Sequence, residues 1–316
     1  MQTQDPAAFK YSVVIPVFNS EKIVGETVDR TVEFFKKAGW RYEIVLVNDG
    51  SEDRSWDVLS AKAAGDRNVT AIDLLKNYGQ HTAVFCGLKH ATGDFVLTID
   101  DDLQNPPGEM VHLVAKVLEG YDVVYGRFRQ KRHAFYRRAG SWLVTRLNRR
   151  VFHQPVDLDV TNFRIMRREV VDRIVAYRTS FPYINGLSLM FSSKRANVWV
   201  EHKPREAGRS NYGWMRLFAL VARIMFNYSA FPLHVISLTG FGVASCAFLA
   251  GFWFLLKAMF FGTSVTGWAS IVVLVSFLGG VNIVVVSMVG EYLIRLVRQS
   301  SESNVCHVTN ILNADG

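Results

Sequence analysis

The sequence predicts an α/β fold with a mostly parallel sheet, followed by apolar helices that hold the chain in a membrane. Two observations predict this architecture. Short apolar runs alternate with longer helical patterns through about the first 200 residues, as in proteins whose parallel strands are buried on both faces. Two long uncharged apolar runs then fill most of the last quarter of the chain.

The strands and helices of the first part follow one another in order. The predicted strands are YSVVIPVF (11–18), YEIVLVNDGS (42–51), VTAIDLL (69–75), GDFVLTID (93–100) and YDVVYGR (121–127). Helices are predicted over 21–37, 53–64 and 108–119, where apolar side chains recur with helical spacing. We therefore expect one α/β domain over residues 1–208.

The last quarter contains two candidate transmembrane helices. The runs 235–256 and 258–290 carry no charge over 22 and 33 residues, and each exceeds the roughly 20 residues that cross a bilayer core. No basic segment precedes an apolar run at the N-terminus, so no cleaved signal peptide is expected. The basic residues that flank the two runs are Arg205, Arg209, Arg216, Arg223, Arg295 and Arg298.

The distribution of these basic residues predicts the orientation of the chain. Between the two runs stands only Lys257, so the positive-inside rule keeps both termini in the cytoplasm. The expected parts are a cytoplasmic domain (1–208), an interfacial amphipathic helix (209–231), a two-helix hairpin (232–292) and a cytoplasmic tail (293–316). The expected location is the cytoplasmic (inner) membrane.

Charge and cysteine content narrow the classes of partner. The net charge of +8 suits either nucleic acid or an anionic membrane surface, and the two spans make the membrane the simpler explanation, without nucleic acid. Cys86, Cys246 and Cys306 are far apart in the sequence and have no paired spacing, which fits a reducing compartment without structural zinc. The oligomeric state, a homo-oligomer included, is left open.

Polar side chains cluster where the predicted strands end. They are Asn19 and Glu21, Asn48 and Asp49, Lys76 and Asn77, and the aspartates of LTIDDDLQNPP (97–107). Because open α/β sheets bind ligands at the carboxyl ends of their strands, we expect these groups to share one crevice. Taken alone, Asp49 and Gly50 would more often form a simple turn.

The three consecutive aspartates predict a divalent metal. The sequence has neither G-x-G-x-x-G nor a P-loop, so a bound diphosphate needs another neutralising group. Asp100 and Asp102 form an Asp-x-Asp pair, whose hard oxygen atoms suit Mg²⁺ or Mn²⁺. The metal ion would then neutralise the charge of the diphosphate. The alternative is an acidic strand-to-loop surface in which Asp101 caps a helix.

Two basic, amphipathic segments point to a membrane surface. Residues 127–150 contain nine Lys or Arg and no acidic residue, interleaved with aromatic and leucine side chains. A solvated basic helix or a nucleic-acid patch would have a similar composition, but beside two spans the pattern favours anionic headgroups. Residues 209–231 place apolar side chains on one helical stripe, which favours an interfacial helix over a core helix.

An ordered set of motifs resembles a known family. VVIPVFNSE, VNDGS, KNYGQHTAVFCGLKHATGD, DDDLQNPP and YGRFRQKR are similar to the inverting family-2 glycosyltransferases of the GT-A fold. More narrowly, they resemble the polyisoprenyl-phosphate glycosyltransferases, and the match runs from about residue 12 to 298. Two positions depart from the family pattern: Ser20 replaces a common acidic residue, and Asp101 replaces a small one.

The resemblance implies roles for individual residues. The implied nucleotide-binding residues are Pro16, Phe18, Asn19, Glu21, Asp49, Lys76, Asn77, Asp100, Asp101 and Arg209. The implied lipid-phosphate ligands are Arg127, Arg137, Arg138 and Ser141, and the implied metal ligands for Mg²⁺ or Mn²⁺ are Asp102 and Gln104. The implied catalytic residues are Asp100, Asp102, Asp159 and Arg127. Either Asp157 or Asp159 could act at the sugar, with Asp159 favoured by its spacing to Arg164. Whether Arg164 has a functional or a structural role is left open.

The implied reaction is inverting sugar transfer from a nucleotide diphosphate sugar, with UDP favoured, to a polyprenyl phosphate, with undecaprenyl phosphate favoured. A phosphate acceptor is already deprotonated at neutral pH, so no strong general base is needed. Two further classes of protein compete with this one. A processive polysaccharide synthase would need more spans and a Q-x-x-R-W motif, and a non-catalytic membrane-anchored protein would not need Asp100, Asp102 and Gln104 together.

Overall fold

The structure, a computed structural model, describes residues 4–128, 135–201, 214–229, 231–261, 267–300 and 305–313. The chain divides into two units, one of Met1–Phe218 with Glu302–Gly316 and the other of Ala219–Ser301. The strands are β1 (Lys10–Val17), β2 (Arg41–Asn48), β3 (Val69–Leu74), β4 (Phe95–Thr98), β5 (Val123–Phe128), β6 (Arg164–Arg167), β7 (Arg195–Val200) and β8 (Val308–Leu312).

These strands form one sheet in the first unit, in the order β7-β5-β6-β4-β1-β2-β3-β8. Neighbouring strands β1 and β2, β1 and β4, β2 and β3, and β5 and β7 are parallel. Only β6 and β8, among the described residues, run antiparallel to their neighbours. The predicted mostly parallel sheet is therefore confirmed.

Helices cover the sheet and bury its apolar strands. They are α1 (Val24–Ala38), α2 (Ser55–Gly65), α3 (Gln80–His90), α4 (Met110–Leu118), α5 (Phe135–Phe152), α6 (Arg168–Ala176) and α7 (Ile184–Met190). Strand β1 lies near the middle of the sheet, and its residues after Lys10 are all buried. Tyr11 from this strand packs against Phe35 of α1 and Phe95 of β4, which joins the helix to the sheet.

Helix α3 was not among the predicted helices, and its burial explains why. Residues 82–88 are all buried, so the helix lacks the polar face from which helical periodicity is recognised. A Cβ on Gly87 would lie 2.4 Å from Val14 Cγ1 and 3.0 Å from Val47 Cγ2. The helix therefore packs closely on β1 and β2, and its N-terminus reaches the edge where their carboxyl ends lie.

The C-terminal residues, predicted as a tail, form part of the sheet instead. Strand β8 pairs with β3, where Ala71 lies opposite Leu312. The Leu75 N–H donates to the carbonyl oxygen of His307 at 3.0 Å, just before this strand. Cysteines that are distant in the sequence are neighbours here, because the Cys86 thiol donates a hydrogen bond that lowers the pKa of Cys306.

The second unit consists of long helices. Helix α8 (Trp214–Tyr228) leads into it, and α9 (Phe231–Phe261) packs against α10 (Trp268–Ser300). The two helices approach closely, since a Cβ on Gly240 would lie 2.6 Å from Ile283 Cγ2. The segment Leu274–Ile294 of α10 is long and apolar enough to cross a membrane and is not buried; Leu238–Phe254 of α9 is apolar but shorter. One of the two predicted spans is thus supported.

Candidate active site at the carboxyl ends of the strands

The loops that leave β1, β2 and β4 begin side by side. Strand register places Val17 opposite Asn48, and the Asp49 N–H continues the pairing to the Val17 carbonyl oxygen at 2.8 Å. On the other side of β1, the Ile99 N–H donates to the Val14 carbonyl oxygen at 3.2 Å. The polar residues that follow these strands therefore share one edge of the sheet, as their sequence positions predicted.

The loop after β1 is fastened to the loop after β2. Asn19 has a left-handed backbone (φ 52°), which asparagine adopts more readily than most residues. Its N–H donates to Ser51 Oγ at 3.0 Å, and its side-chain oxygen accepts from the Glu52 N–H at 2.9 Å. The Glu21 carboxylate accepts from the Arg54 N–H at 3.1 Å, at the start of α2. Asn19 and Glu21 thus hold the edge of the crevice in shape.

The buried Asp49 carboxylate organises the loop between β3 and α3. Its two oxygens accept from the backbone N–H groups of Tyr78 at 2.7 Å and Gly79 at 2.9 Å. Burial raises the pKa of Asp49 to about 6, although these two hydrogen bonds lower it. Gly50 (φ 62°) lies against the same loop, where a Cβ would meet the carbonyl carbon of Lys76 at 2.4 Å. Asp49 and Gly50 therefore pack against the loop between β3 and α3 and do not form only an isolated turn.

The remaining predicted nucleoside residues differ in exposure. Pro16 is buried within β1, whereas Phe18 is 45% exposed beyond its end. Lys76 and Asn77 are exposed, and the Lys76 ammonium lies 5.4 Å from the centre of the Tyr78 ring. The Tyr78 hydroxyl is buried and has no hydrogen-bond partner among the described residues. An open edge with an unsatisfied hydroxyl suits a polar ligand.

Adjacent aspartates of the acidic segment have different partners. Asp100 Oδ1 accepts from the Gln80 side-chain amide at 2.6 Å, at the start of α3. Asp101 Oδ2 accepts from the Ser20 hydroxyl and from the Phe18 N–H at 3.4 Å. The Asp101 carboxylate therefore ties the acidic segment to the loop after β1. The two residues that depart from the family pattern, Ser20 and Asp101, contact each other.

The turn after the aspartates brings the two predicted metal ligands together. Leu103 is buried with a left-handed backbone (φ 55°), which is uncommon for a bulky residue, and residues with strained backbones cluster at functional sites. The Gln104 N–H donates to Asp102 Oδ1 at 3.2 Å across this turn. Asp102 and Gln104 thus belong to the same tight turn, joined by a hydrogen bond from the Gln104 backbone.

The electrostatics of the segment favour a cation. The pKa of Asp100 is raised to about 7, first by burial and then by the nearby Asp102 and Asp101 carboxylates. Arg164 opposes this rise; its buried guanidinium donates to Thr98 Oγ1 at 3.1 Å and Asn185 Oδ1 at 2.7 Å. The aspartates thus oppose one another's ionisation, and a bound cation would relieve that repulsion.

The donor set fits Mg²⁺ or Mn²⁺ bound together with a phosphate ligand. Among the described residues, no group of three or more His, Cys, Asp or Glu side chains is arranged to hold a metal. Mg²⁺ commonly takes one or two carboxylates and completes its octahedral shell with water and substrate phosphates. Asp102 supplies one carboxylate of that kind, and Gln104, which follows it in the same turn, carries an amide oxygen that could supply a second ligand.

A second group of polar side chains lies on β5, on β7 and in the segment before β6. The Arg127 Nε is 3.0 Å from Asp159 Oδ2, so two predicted catalytic residues form an ion pair. Asn197 fixes the segment that carries Asp159: its side chain accepts from the Asp159 N–H at 2.8 Å and donates to the Asp159 carbonyl oxygen at 2.7 Å. Asp157 is exposed, and among the described residues no comparable link is seen for it.

Some predicted residues lie outside what the structure describes, and some contacts were missed. Arg209 is not described, and of Arg137, Arg138 and Ser141 only the backbone, within α5, is described. Sequence reasoning did not single out Gln80 as the partner of Asp100 or Asn197 as the support of Asp159. Neither residue belongs to a local pattern, because their partners are 20 and 38 positions away.

A mostly parallel sheet with an Asp-x-Asp turn at the carboxyl ends of its strands fits a nucleotide-diphospho-sugar transferase of the GT-A type. The profile of the family described as "Glycosyl transferase family 2" matches residues 12–175. The chain belongs to this family and is a glycosyltransferase, as the motifs predicted.

Relatives and solved structures agree with this assignment. The chain is 35% identical to the undecaprenyl-phosphate 4-deoxy-4-formamido-L-arabinose transferase of Shewanella sediminis (strain HAW-EB3), over 90% of this chain and 87% of that protein. It is 32% identical to the prophage bactoprenol glucosyl transferase homolog of Escherichia coli (strain K12), over 90% and 93%. Glucosyl-3-phosphoglycerate synthase from Mycobacterium tuberculosis, solved with Mn²⁺, UDP and phosphoglyceric acid, shares the fold (TM-score 0.53, 20% identity, covering 70% of this chain and 77% of that chain).

Proposed function

We propose that the protein transfers a sugar, with inversion, from a nucleotide diphosphate sugar to a polyprenyl phosphate. The favoured donor is a UDP-sugar and the favoured acceptor is undecaprenyl phosphate. The observation that carries the proposal is the presence, in one chain, of a carboxylate turn at the strand ends and a long unburied apolar helix. Relatives named for undecaprenyl-phosphate and bactoprenol substrates, similar over both parts, support it.

On the donor side, the loop residues after β1, β2 and β3 would hold the nucleoside. Phe18 offers an exposed ring, and Lys76 and Asn77 offer polar groups beside the loop that Asp49 supports. Asp102 and Gln104 would hold Mg²⁺ or Mn²⁺ with the donor diphosphate, and the metal would stabilise the charge of the leaving diphosphate. Solved relatives with Mn²⁺ or Mg²⁺ and UDP support this choice of donor and metal.

On the acceptor side, Arg127 would bind the lipid phosphate and orient one of its oxygens toward the anomeric carbon of the sugar. That oxygen forms the new bond as the bond to the diphosphate breaks, so the anomeric configuration inverts. A phosphate monoester is ionised at neutral pH, so this chain has no need to remove a proton from its acceptor. Asp159 would hold the Arg127 guanidinium in the orientation that receives the phosphate. Arg137, Arg138 and Ser141 on α5 would add further phosphate contacts.

At the membrane, α9 and α10 would form a hairpin with both termini in the cytoplasm, and the residues around α8 would lie at the interface. The sheet domain would then meet its lipid acceptor at the cytoplasmic face of the inner membrane. A processive polysaccharide synthase remains an alternative within the same family.

The decisive experiment is a donor screen with the purified full-length protein. Undecaprenyl phosphate, Mg²⁺ or Mn²⁺ and a panel of UDP- and GDP-sugars are incubated with the enzyme, and the lipid fraction is analysed by mass spectrometry. We expect a single sugar on the lipid phosphate with one UDP-sugar, and no product in excess EDTA. Products with more than one sugar would favour a polysaccharide synthase, and donor binding without transfer to the lipid would overturn the proposed acceptor.

A further inference from the structure

A large aromatic side chain stands exposed beside the Arg127–Asp159 ion pair. Trp199 lies on β7, and the strand register places it opposite Arg127 of β5. Its indole is 53% exposed, whereas the next residue, Val200, is buried in the core. The guanidinium carbon of Arg127 is 4.9 Å from the centre of the indole ring, a cation–π contact.

This contact places a cation and an apolar surface next to each other in a fixed arrangement. Asp159 engages the Nε edge of the guanidinium, and Trp199 supports its face. Asn197, two residues before Trp199 on the same strand, fixes the backbone of Asp159. Several contacts therefore hold Arg127 in place, while half of the neighbouring indole stays open to solvent.

We propose that the exposed part of the Trp199 indole binds the first isoprenoid units of the acceptor, next to the phosphate on Arg127; this inference rests on the proposed function. A polyprenyl phosphate joins a dianion directly to an unsaturated hydrocarbon chain. A site for that junction needs a charged donor and an apolar surface side by side, because the phosphate requires hydrogen bonds while the chain gains by leaving water. An indole next to a guanidinium supplies both, and its π face suits methyl and alkene groups.

Two competing roles for the Trp199 indole predict different behaviour. If Trp199 only orients Arg127, its loss weakens binding of every phosphate monoester equally. If it only anchors the domain at the membrane interface, its loss weakens vesicle association and leaves the affinity for a short acceptor in detergent unchanged. Of the three roles, only an isoprenoid subsite predicts a loss of affinity that depends on the chain attached to the phosphate.

The experiment uses the detergent-solubilised full-length protein and its Trp199→Ala and Trp199→Phe variants. Met190→Ala is the control, since it shortens another half-exposed apolar side chain of the same unit. Dissociation constants are measured for farnesyl phosphate and, by competition, for glycerol 3-phosphate, which carries the phosphate on a polar chain. Transfer from the donor to undecaprenyl phosphate is measured in parallel.

We expect Trp199→Ala to weaken farnesyl phosphate binding about tenfold and glycerol 3-phosphate binding less than about threefold, with Trp199→Phe close to wild type. Donor affinity should not change in any variant. Equal losses for both ligands, or no loss for either, would overturn the inference. Farnesyl phosphate binding that depends on Trp199, without transfer to undecaprenyl phosphate by the wild type, would instead refute the proposed function and leave the subsite standing.

Discussion

At the scale of single residues, the acidic segment separates into positions with different tasks. Asp101 contacts Ser20 and the Phe18 backbone, whereas Asp102 lies in the turn with Gln104. Burial raises the pKa of Asp101 to about 6, and the Ser20 hydroxyl offsets part of that rise. Asp101 therefore acts as a tie between two loops, and Asp102 remains the metal ligand of the proposed site.

The first prediction compares isosteric changes at these neighbouring aspartates. Asp102→Asn removes a charged metal ligand and should lower transfer about 10²- to 10³-fold, in the range found when one electrostatic stabiliser is lost. Asp101→Asn keeps a side-chain oxygen that accepts from Ser20 and Phe18, so its activity should stay within about threefold of wild type. Asp101→Ala loses both hydrogen bonds between the two loops and should raise the donor KM. Steady-state kinetics with varied donor and metal test this. Equal losses for Asp101→Asn and Asp102→Asn would contradict the division of tasks.

The second prediction concerns pH and the Asp49 carboxyl, whose pKa is raised to about 6 by burial. If the ionised carboxylate supports the nucleoside, donor affinity should fall about fourfold between pH 7.5 and pH 5.5, as the ionised fraction falls. Folding responds in the opposite direction: because the folded pKa exceeds the unfolded one, this group favours the folded state at low pH, and that contribution is lost as pH rises through about 6. A loss of affinity at low pH would therefore not reflect unfolding driven by Asp49.

Two variants serve as controls for the pH experiment, which is measured by calorimetric titration of UDP. Asp49→Asn should flatten the pH dependence of UDP affinity. A pH dependence caused by titration of the nucleotide phosphates would instead be the same in this variant and in the wild type. The Cys86 and Cys306 thiols also lie near this carboxyl, so Cys306→Ser should leave the profile unchanged. An identical profile in wild type and Asp49→Asn would exclude the carboxyl as its source.

At the scale of elements, the sequence predicts what local patterns encode and misses what distant contacts create. The first five strands were predicted within three residues at each end, because each is a short apolar run bounded by polar residues. Helix α3 was missed because it is buried on all sides. Strand β8 was missed because VTNIL follows the long apolar helices and pairs with β3, which lies more than 200 residues earlier in the chain. No local pattern carries such a pairing.

The third prediction tests how β8 is held. Asn313 (φ 57°) donates from its side-chain amide to the carbonyl oxygens of Ala63 at 2.5 Å and Val69 at 3.1 Å. Asn313→Ala loses both hydrogen bonds and strains the left-handed backbone, so it should destabilise the docking of β8 by about 1–3 kcal/mol. Asn313→Gly loses the bonds without the strain and should cost less. Hydrogen exchange of the β8 amides measures both. Unchanged exchange in both variants would show that strand pairing alone holds β8.

At the scale of the whole molecule, the sequence predicted which polar residues share the edge at the strand ends, but not the contacts among them. Strand-end positions brought Asn19, Asp49 and Asp100 to one edge because parallel strands order their ends in space. The ion pair between Arg127 and Asp159 could not be predicted in advance, since it depends on the antiparallel β6 and the segment before it. Burial of Arg164 beneath the acidic segment likewise emerges only from the packed fold.

Chain connectivity also bears on the membrane. Residues on both sides of the second unit belong to one sheet, since Leu312 pairs with Ala71 after the chain has passed through α9 and α10. If α10 crosses the membrane once, its two ends lie on opposite sides, and the chain must cross a second time for β8 to reach β3. Helix α9 is the candidate, because its apolar segment Leu238–Phe254 lies within a helix of 31 residues, about 45 Å long at 1.5 Å per residue.

The last prediction therefore places the connection between α9 and α10 outside the cytoplasm and the sheet inside it. In a background with Cys246→Ser and Cys306→Ser, Ser264→Cys should react with a membrane-impermeant maleimide in intact cells. Glu119→Cys, at the exposed end of α4, should react only after the cells are permeabilised, and it is the matched control. Reaction at both positions only after permeabilisation would mean that the helices lie on the membrane without crossing it. Reaction at Glu119→Cys in intact cells would place the sheet, and with it the proposed donor site, on the side that lacks cytoplasmic nucleotide sugars.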